Sequence, residues 1–140
     1  MAFNGKLLEF EINNSYTEFP TNLINAESYK VTPDQRLEAS ANRAASGKLI
    51  RTTLSHTASK IDLNTIILTN SQLATIETLL TNAYTDSLQR KLTIRYYVPQ
   101  SDSYKTGTFY VPDVDYDILR IEKDNHIIWY NSVRYAFIEY

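Results

Sequence analysis

Apolar positions along the chain recur with two different spacings, and each spacing predicts an element. From Lys6 to Asn13, Leu8, Phe10 and Ile12 alternate with Leu7, Glu9, Glu11 and Asn13, the period of two that marks a half-buried strand. From Asn13 to Thr32 the chain is rich in Asn, Ser and Thr, contains Pro20, and spaces Phe19, Leu23, Ile24, Tyr29 and Val31 without a steady period. That stretch predicts an extended loop with a short strand near Tyr29 to Val31. Pro33 to Ala45 contains good helix formers, but its apolar content is almost all alanine, so a helix there would have little to bury. An irregular or extended segment is the better expectation. Lys48 to His56 and Lys60 to Leu68 are rich in β-branched residues, and the short Thr57-Ala58-Ser59 link between them predicts a hairpin.

The helical period appears once. Leu73, Ile76, Leu79, Leu80, Ala83 and Tyr84 form one stripe over residues 70–84, and Thr69 with Gln72 three residues later has the form of a capping box. Lys91 to Val98 predicts a strand ending at Pro99, and Tyr104 to Val111 contains another, with Pro99 to Ser103 as the hairpin tip. Val114 to Glu122 and His126 to Tyr140 predict two more strands around a Lys123-Asp124-Asn125 turn. About seven strands and one helix, without βαβ alternation or internal repeat, predict a mainly β (α+β) chain. The expected architecture is an antiparallel sandwich or barrel with one packed helix, forming a single domain over residues 1–140.

Composition narrows the function classes. Hydrophobic residues make up 43% and charged residues 21% of the 140, with no apolar run near the ~20 residues of a spanning helix. The early acids Glu9 and Glu11 fall where a signal peptide needs an apolar core, so folding in a cytoplasm is expected. Without cysteine, disulfides, thiolate metal sites and cysteine nucleophiles are excluded. Sixteen acids and fourteen bases are interspersed, which argues against nucleic acid or an anionic membrane as main partner. Eleven tyrosines stand out, a residue suited to half-buried strand faces and to protein interfaces.

No catalytic or metal site is marked. Asp113, Asp115 and Asp117 alternate like the opening of a calcium loop, but Ile118 stands where glycine is required and Asp124 where a bidentate Glu belongs. A strand with its acids toward solvent is the plainer reading. Ser46-Gly47-Lys48 lacks the first glycine and the hydroxyl of a phosphate loop and reads as a turn before a strand. His56 and His126 stand in no metal-ligand spacing, and no cofactor is expected. Arg95-Tyr96-Tyr97 and Phe109-Tyr110 could stack bases, but without a basic surround they read as core and interface.

Several pieces together resemble a family of small tail proteins of phages and prophages of Gram-positive bacteria. They are the run from Asn42 to Arg51, Lys60-Ile61-Asp62-Leu63, the capped helix ending Leu79-Leu80, Leu92 to Tyr97, Lys105 to Val111, and Ile128 to Val133 followed by Phe137-Ile138-Glu139. The resemblance implies a non-enzymatic virion component of the tail tip or baseplate, made in the host cytoplasm. It would form a ring, hexameric or trimeric, with copies of itself and with neighbouring tail proteins. Candidate interface residues are Asn22, Tyr29, Tyr96, Tyr104, Tyr110 and Tyr130, with the loop from Asn13 to Thr32 and the tip from Pro99 to Ser103 making many contacts. A receptor- or carbohydrate-binding module of the virion and a hydrolase with an unmarked carboxylate pair are the competing expectations.

Overall fold

The computed structural model describes residues 2–140, the segments 34–43 and 50–57 by backbone course alone. Ten strands and one helix follow in the order β1 (Leu8–Ile12), β2 (Ser15–Glu18), β3 (Lys30–Arg43), β4 (Leu49–Asn64), β5 (Leu68–Thr69), α1 (Asn70–Ala83), β6 (Lys91–Val98), β7 (Ser103–Tyr110), β8 (Ile118–Glu122), β9 (Ile127–Tyr130) and β10 (Arg134–Glu139). Seven strands form one antiparallel sheet in the order β2-β1-β6-β7-β10-β4-β3, and β5-β9-β8 form a small second sheet. The chain is therefore mainly β with one packed helix.

The core lies between the large sheet and α1. In β6 the period of two is complete, with Leu92, Ile94, Tyr96 and Val98 all buried. Leu8 and Phe10 of β1, Ile61 and Leu63 of β4, Phe109 of β7, and Tyr135 and Phe137 of β10 complete the buried face. The Phe10 ring meets Phe19 at 5.9 Å and Phe137 at 5.7 Å between centroids. Helix α1 turns Leu73, Ile76, Leu80 and Ala83 onto this layer, with Leu79 partly buried beside them. Its capping box is complete: the Gln72 amide donates to Thr69 Oγ1 at 3.4 Å, and the Thr69 amide donates to Gln72 Oε1 at 3.0 Å.

Four expectations are corrected. The expected loop from Asn13 to Thr32 begins with a hairpin: Asn13 and Asn14 take φ of 51° and 65°, a left-handed pair that closes a two-residue turn and brings Ser15 opposite Ile12. Its apolar residues join the core, because Phe19, Leu23 and Ile24 are buried. The expected hairpin at Thr57-Ala58-Ser59 is absent, since β4 runs unbroken through these residues with β3 as its partner. Nothing there requires a turn conformation, whereas Gly47, at φ +88°, closes the chain between β3 and β4. Thus Pro33 to Ala45 is extended over most of its length.

The strand expected from His126 to Tyr140 is two strands in different sheets, because Asn131 and Ser132 leave β9 beside β5 and β8 while β10 crosses to lie between β7 and β4. The strand expected from Val114 is confined to Ile118–Glu122, so the exposed Asp113, Asp115 and Asp117 sit in an irregular stretch.

Candidate functional site

The largest departure from a closed fold is the β3–β4 pair. Lys30, Val31 and Thr32 face Asp62, Ile61 and Lys60 at its base, where β10 flanks β4 from Asn64 to Lys60. From Gln35 opposite Ala58 to Arg43 opposite Leu49 the ladder has two strands only. At about 3.4 Å per residue, those nine residues of β3 reach roughly 30 Å. Register shifts between Thr32 and Gln35, Arg36 and Glu38, and Glu38 and Ser40 add local twist to this arm. Its turn is fixed by the Ala44 amide donating to the Lys48 carbonyl at 2.8 Å and the Gly47 amide to the Ala44 carbonyl at 2.8 Å.

The second feature is the outer strand of the small sheet. β8 has β9 on one side and no strand on the other. Ile118, Leu119 and Ile121 are 54%, 50% and 62% exposed, so apolar side chains lie open at both parities of one short strand. Ile67 and Trp129 continue the patch around a shallow hollow of about 560 Å³, with the Arg120 guanidinium 5.3 Å above the Trp129 ring. The buried Trp129 indole N–H has no acceptor among the described residues.

The third is a cleft of about 680 Å³ between α1 and the 111–116 stretch. The Glu77 carboxylate accepts hydrogen bonds from the Tyr135 hydroxyl at 2.8 Å and from the Tyr116 hydroxyl. Burial, then the Glu77 charge, pushes the Tyr135 hydroxyl far above the usual tyrosine value. Tyr116 is raised by burial and then by its bond to Glu77. Both phenols therefore remain protonated donors at neutral pH. Arg90 closes the rim by pairing with Asp113 at 2.6 Å. Aromatic rings beside carboxylates give this cleft the chemistry to hold a hydroxyl-bearing ligand.

Of the interface residues chosen from the sequence, Tyr29, Tyr96 and Tyr104 lie near one another, the last two adding to the raised value of Tyr29. Tyr96 is a correction: it lies in the core and its hydroxyl donates to Ser59 Oγ at 3.1 Å, so no partner can reach it. Tyr29 is half-buried, donates to the Tyr97 carbonyl at 3.0 Å, and is raised far above its ordinary value mainly by burial. Tyr104 donates into Asn4 Oδ1 at 2.6 Å and the Lys6 carbonyl at 2.7 Å, sharing its proton between them. Tyr110 packs its ring on Tyr140 at 5.7 Å, and Tyr130 packs against the core from β9. Asn22 is exposed in a 3-10 turn (Thr21–Leu23). Most of these tyrosines fasten the chain to itself. The tip after β6 is also tied down, since Asp102 accepts from the Tyr97 hydroxyl at 2.8 Å and from the Phe3 amide at 3.3 Å.

Ile118, Leu119 and Ile121 of β8 were expected in a strand but were not among the candidate interface residues. Their signal was three apolar residues within Ile118-Leu119-Arg120-Ile121, a pattern that leaves one apolar side chain outward however the strand is turned.

Among the described residues no group of three or more His, Asp or Glu converges as metal ligands, and no helix is long and apolar enough to cross a membrane. Fold and surface together define a sandwich-like α+β protein with an antiparallel seven-stranded sheet and an extended two-stranded arm. The chain belongs to a family of unknown function (DUF6711), which matches it over residues 1–140. No match is found among curated proteins.

Proposed function

We propose that this chain is a structural subunit of a bacteriophage tail, a component of a distal tail, baseplate or tube-adaptor ring that acts by binding copies of itself and neighbouring tail proteins. The β3–β4 arm carries this reading. A two-stranded ribbon alone is marginally stable in water, and each outer edge presents unpaired N–H and C=O groups. Pairing with another chain satisfies those groups, and a subunit that uses one surface to give a strand and another to receive one closes a ring by heterologous contacts. The resemblance of the segments from Asn42 onward to small phage tail proteins supports the same place of action, the virion, with a hexamer or trimer as the ring. The reading needs no catalytic residue, cofactor, membrane or nucleic acid.

The test is to replace residues 41–51 by Asn-Gly in a phage that encodes the chain, closing the ladder beyond Ser40 and Thr52. The shortened chain should fold and the phage should build no infectious tails. Normal tails would contradict the proposal.

The cleft beside Glu77 favours a second reading, a carbohydrate-binding module of the virion. Saturable heat on titration with simple saccharides, lost in Tyr116→Ala, would support that alternative.

A further inference from the structure

We infer that the apolar edge of β8 is the receiving surface for the β3–β4 arm of a second copy of this chain. The inference rests on the self-assembly reading and names its contact. β8 offers what strand addition requires: a free backbone edge and exposed Ile118, Leu119 and Ile121 able to cover an incoming strand on both sides. A strand with large apolar residues open at both parities is that of an interior position in a larger sheet.

Charge selects the occupant. From Gln35 to Ala58 the arm carries four bases, Arg36, Arg43, Lys48 and Arg51, against one acid, Glu38. The stretch from Val111 to Asp124, which contains β8, carries five acids (Asp113, Asp115, Asp117, Glu122, Asp124) against two bases (Arg120, Lys123). Asp115 and Asp117, both exposed, make no ion pair among the described residues. The arm also brings Leu49 of β4, which is exposed. A cationic strand with an exposed apolar side chain and an apolar edge with an acidic flank are complementary, whereas β8 against β8 would bring acid against acid. The two surfaces are different parts of the chain, so the contact is heterologous.

Because the protein has no cysteine, introduced pairs report the contact directly. Full-length Leu49→Cys is mixed under mild oxidation with a mass-tagged copy carrying Ile121→Cys, and in parallel with one carrying Thr17→Cys on the opposite edge strand β2. The mixed disulfide should form at least ~10-fold faster with Ile121→Cys. Ile121→Lys, checked for folding by its melting curve, should weaken wild-type self-association by at least ~10-fold in sedimentation. Equal disulfide rates in the two mixtures, or a dominant Ile121→Cys homodimer, would overturn the inference. If wild-type chains then still sediment above monomer mass, self-assembly stands and only this contact is wrong. If they stay monomeric, the assembly reading fails with it.

Discussion

Arg95 and Glu9 face each other across β6 and β1 and form a two-point ion pair, Nε to Oε1 at 3.2 Å and Nη2 to Oε2 at 2.7 Å, with Glu9 only 2% exposed. The guanidinium also lies 4.2 Å from the Tyr16 ring centre, so one arginine ties β2, β1 and β6 together on the face away from the core. Arg95→Met should leave a buried carboxylate unpaired and lower stability by about 2 kcal/mol, less than a fully buried pair because the arginine is partly exposed. Replacing both with leucine should recover most of that loss in a denaturant melt. A double variant no more stable than Arg95→Met would contradict this account of the pair.

Ile76 is fully buried at the centre of the α1 stripe. Truncation to alanine at such a position costs about 2 to 5 kcal/mol. A fall of that size in thermal unfolding is expected for Ile76→Ala, and an unchanged curve would contradict the packing of α1 on the sheet.

Tyr29 and Tyr135 keep their protons in the folded chain far above the ordinary tyrosine value, chiefly through burial. The folded state then binds more protons than the unfolded state above pH ~10, so stability is full below that pH and falls as pH rises. Each retained proton contributes a slope of about 1.4 kcal/mol per pH unit. Chemical melts above pH ~10 should show this decline, and Tyr135→Phe should make it shallower. A slope unchanged in that variant would rule out its share.

A methyl group added at Gly107 would lie 2.5 Å from Glu139 Oε2, and the other oxygen of that carboxylate accepts the Ser59 amide at 2.8 Å. Gly107→Ala should displace Glu139, speed exchange of the Ser59 amide, and cost about 1 kcal/mol. An ordinary strand glycine would instead gain roughly 0.5 to 1 kcal/mol from the same change, so the sign is diagnostic.

Elements governed by neighbours in sequence were legible. The α1 stripe with its Thr69–Gln72 box and the alternation of β6 needed only local periodicity. Long-range pairing was not legible: β4 reads as two strands because Thr57-Ala58-Ser59 is weakly apolar, yet β3 holds it extended through the gap. Likewise Asn131 and Ser132 do not announce that β9 and β10 belong to different sheets. Tyrosine count suggested an interface, but most of those hydroxyls find partners within the chain, distant in sequence. The arm and the β8 edge emerge only once strand order is known, because an open edge is a property of the sheet.

Electron cryo-microscopy of intact virions of a phage encoding this chain tests the central claim most directly. The account predicts repeated copies closing a ring in the tail, with the ladder from Gln35 and Ala58 outward lying against a neighbouring copy. A virion without the chain, or a ring in which that ladder touches no other subunit, would contradict it.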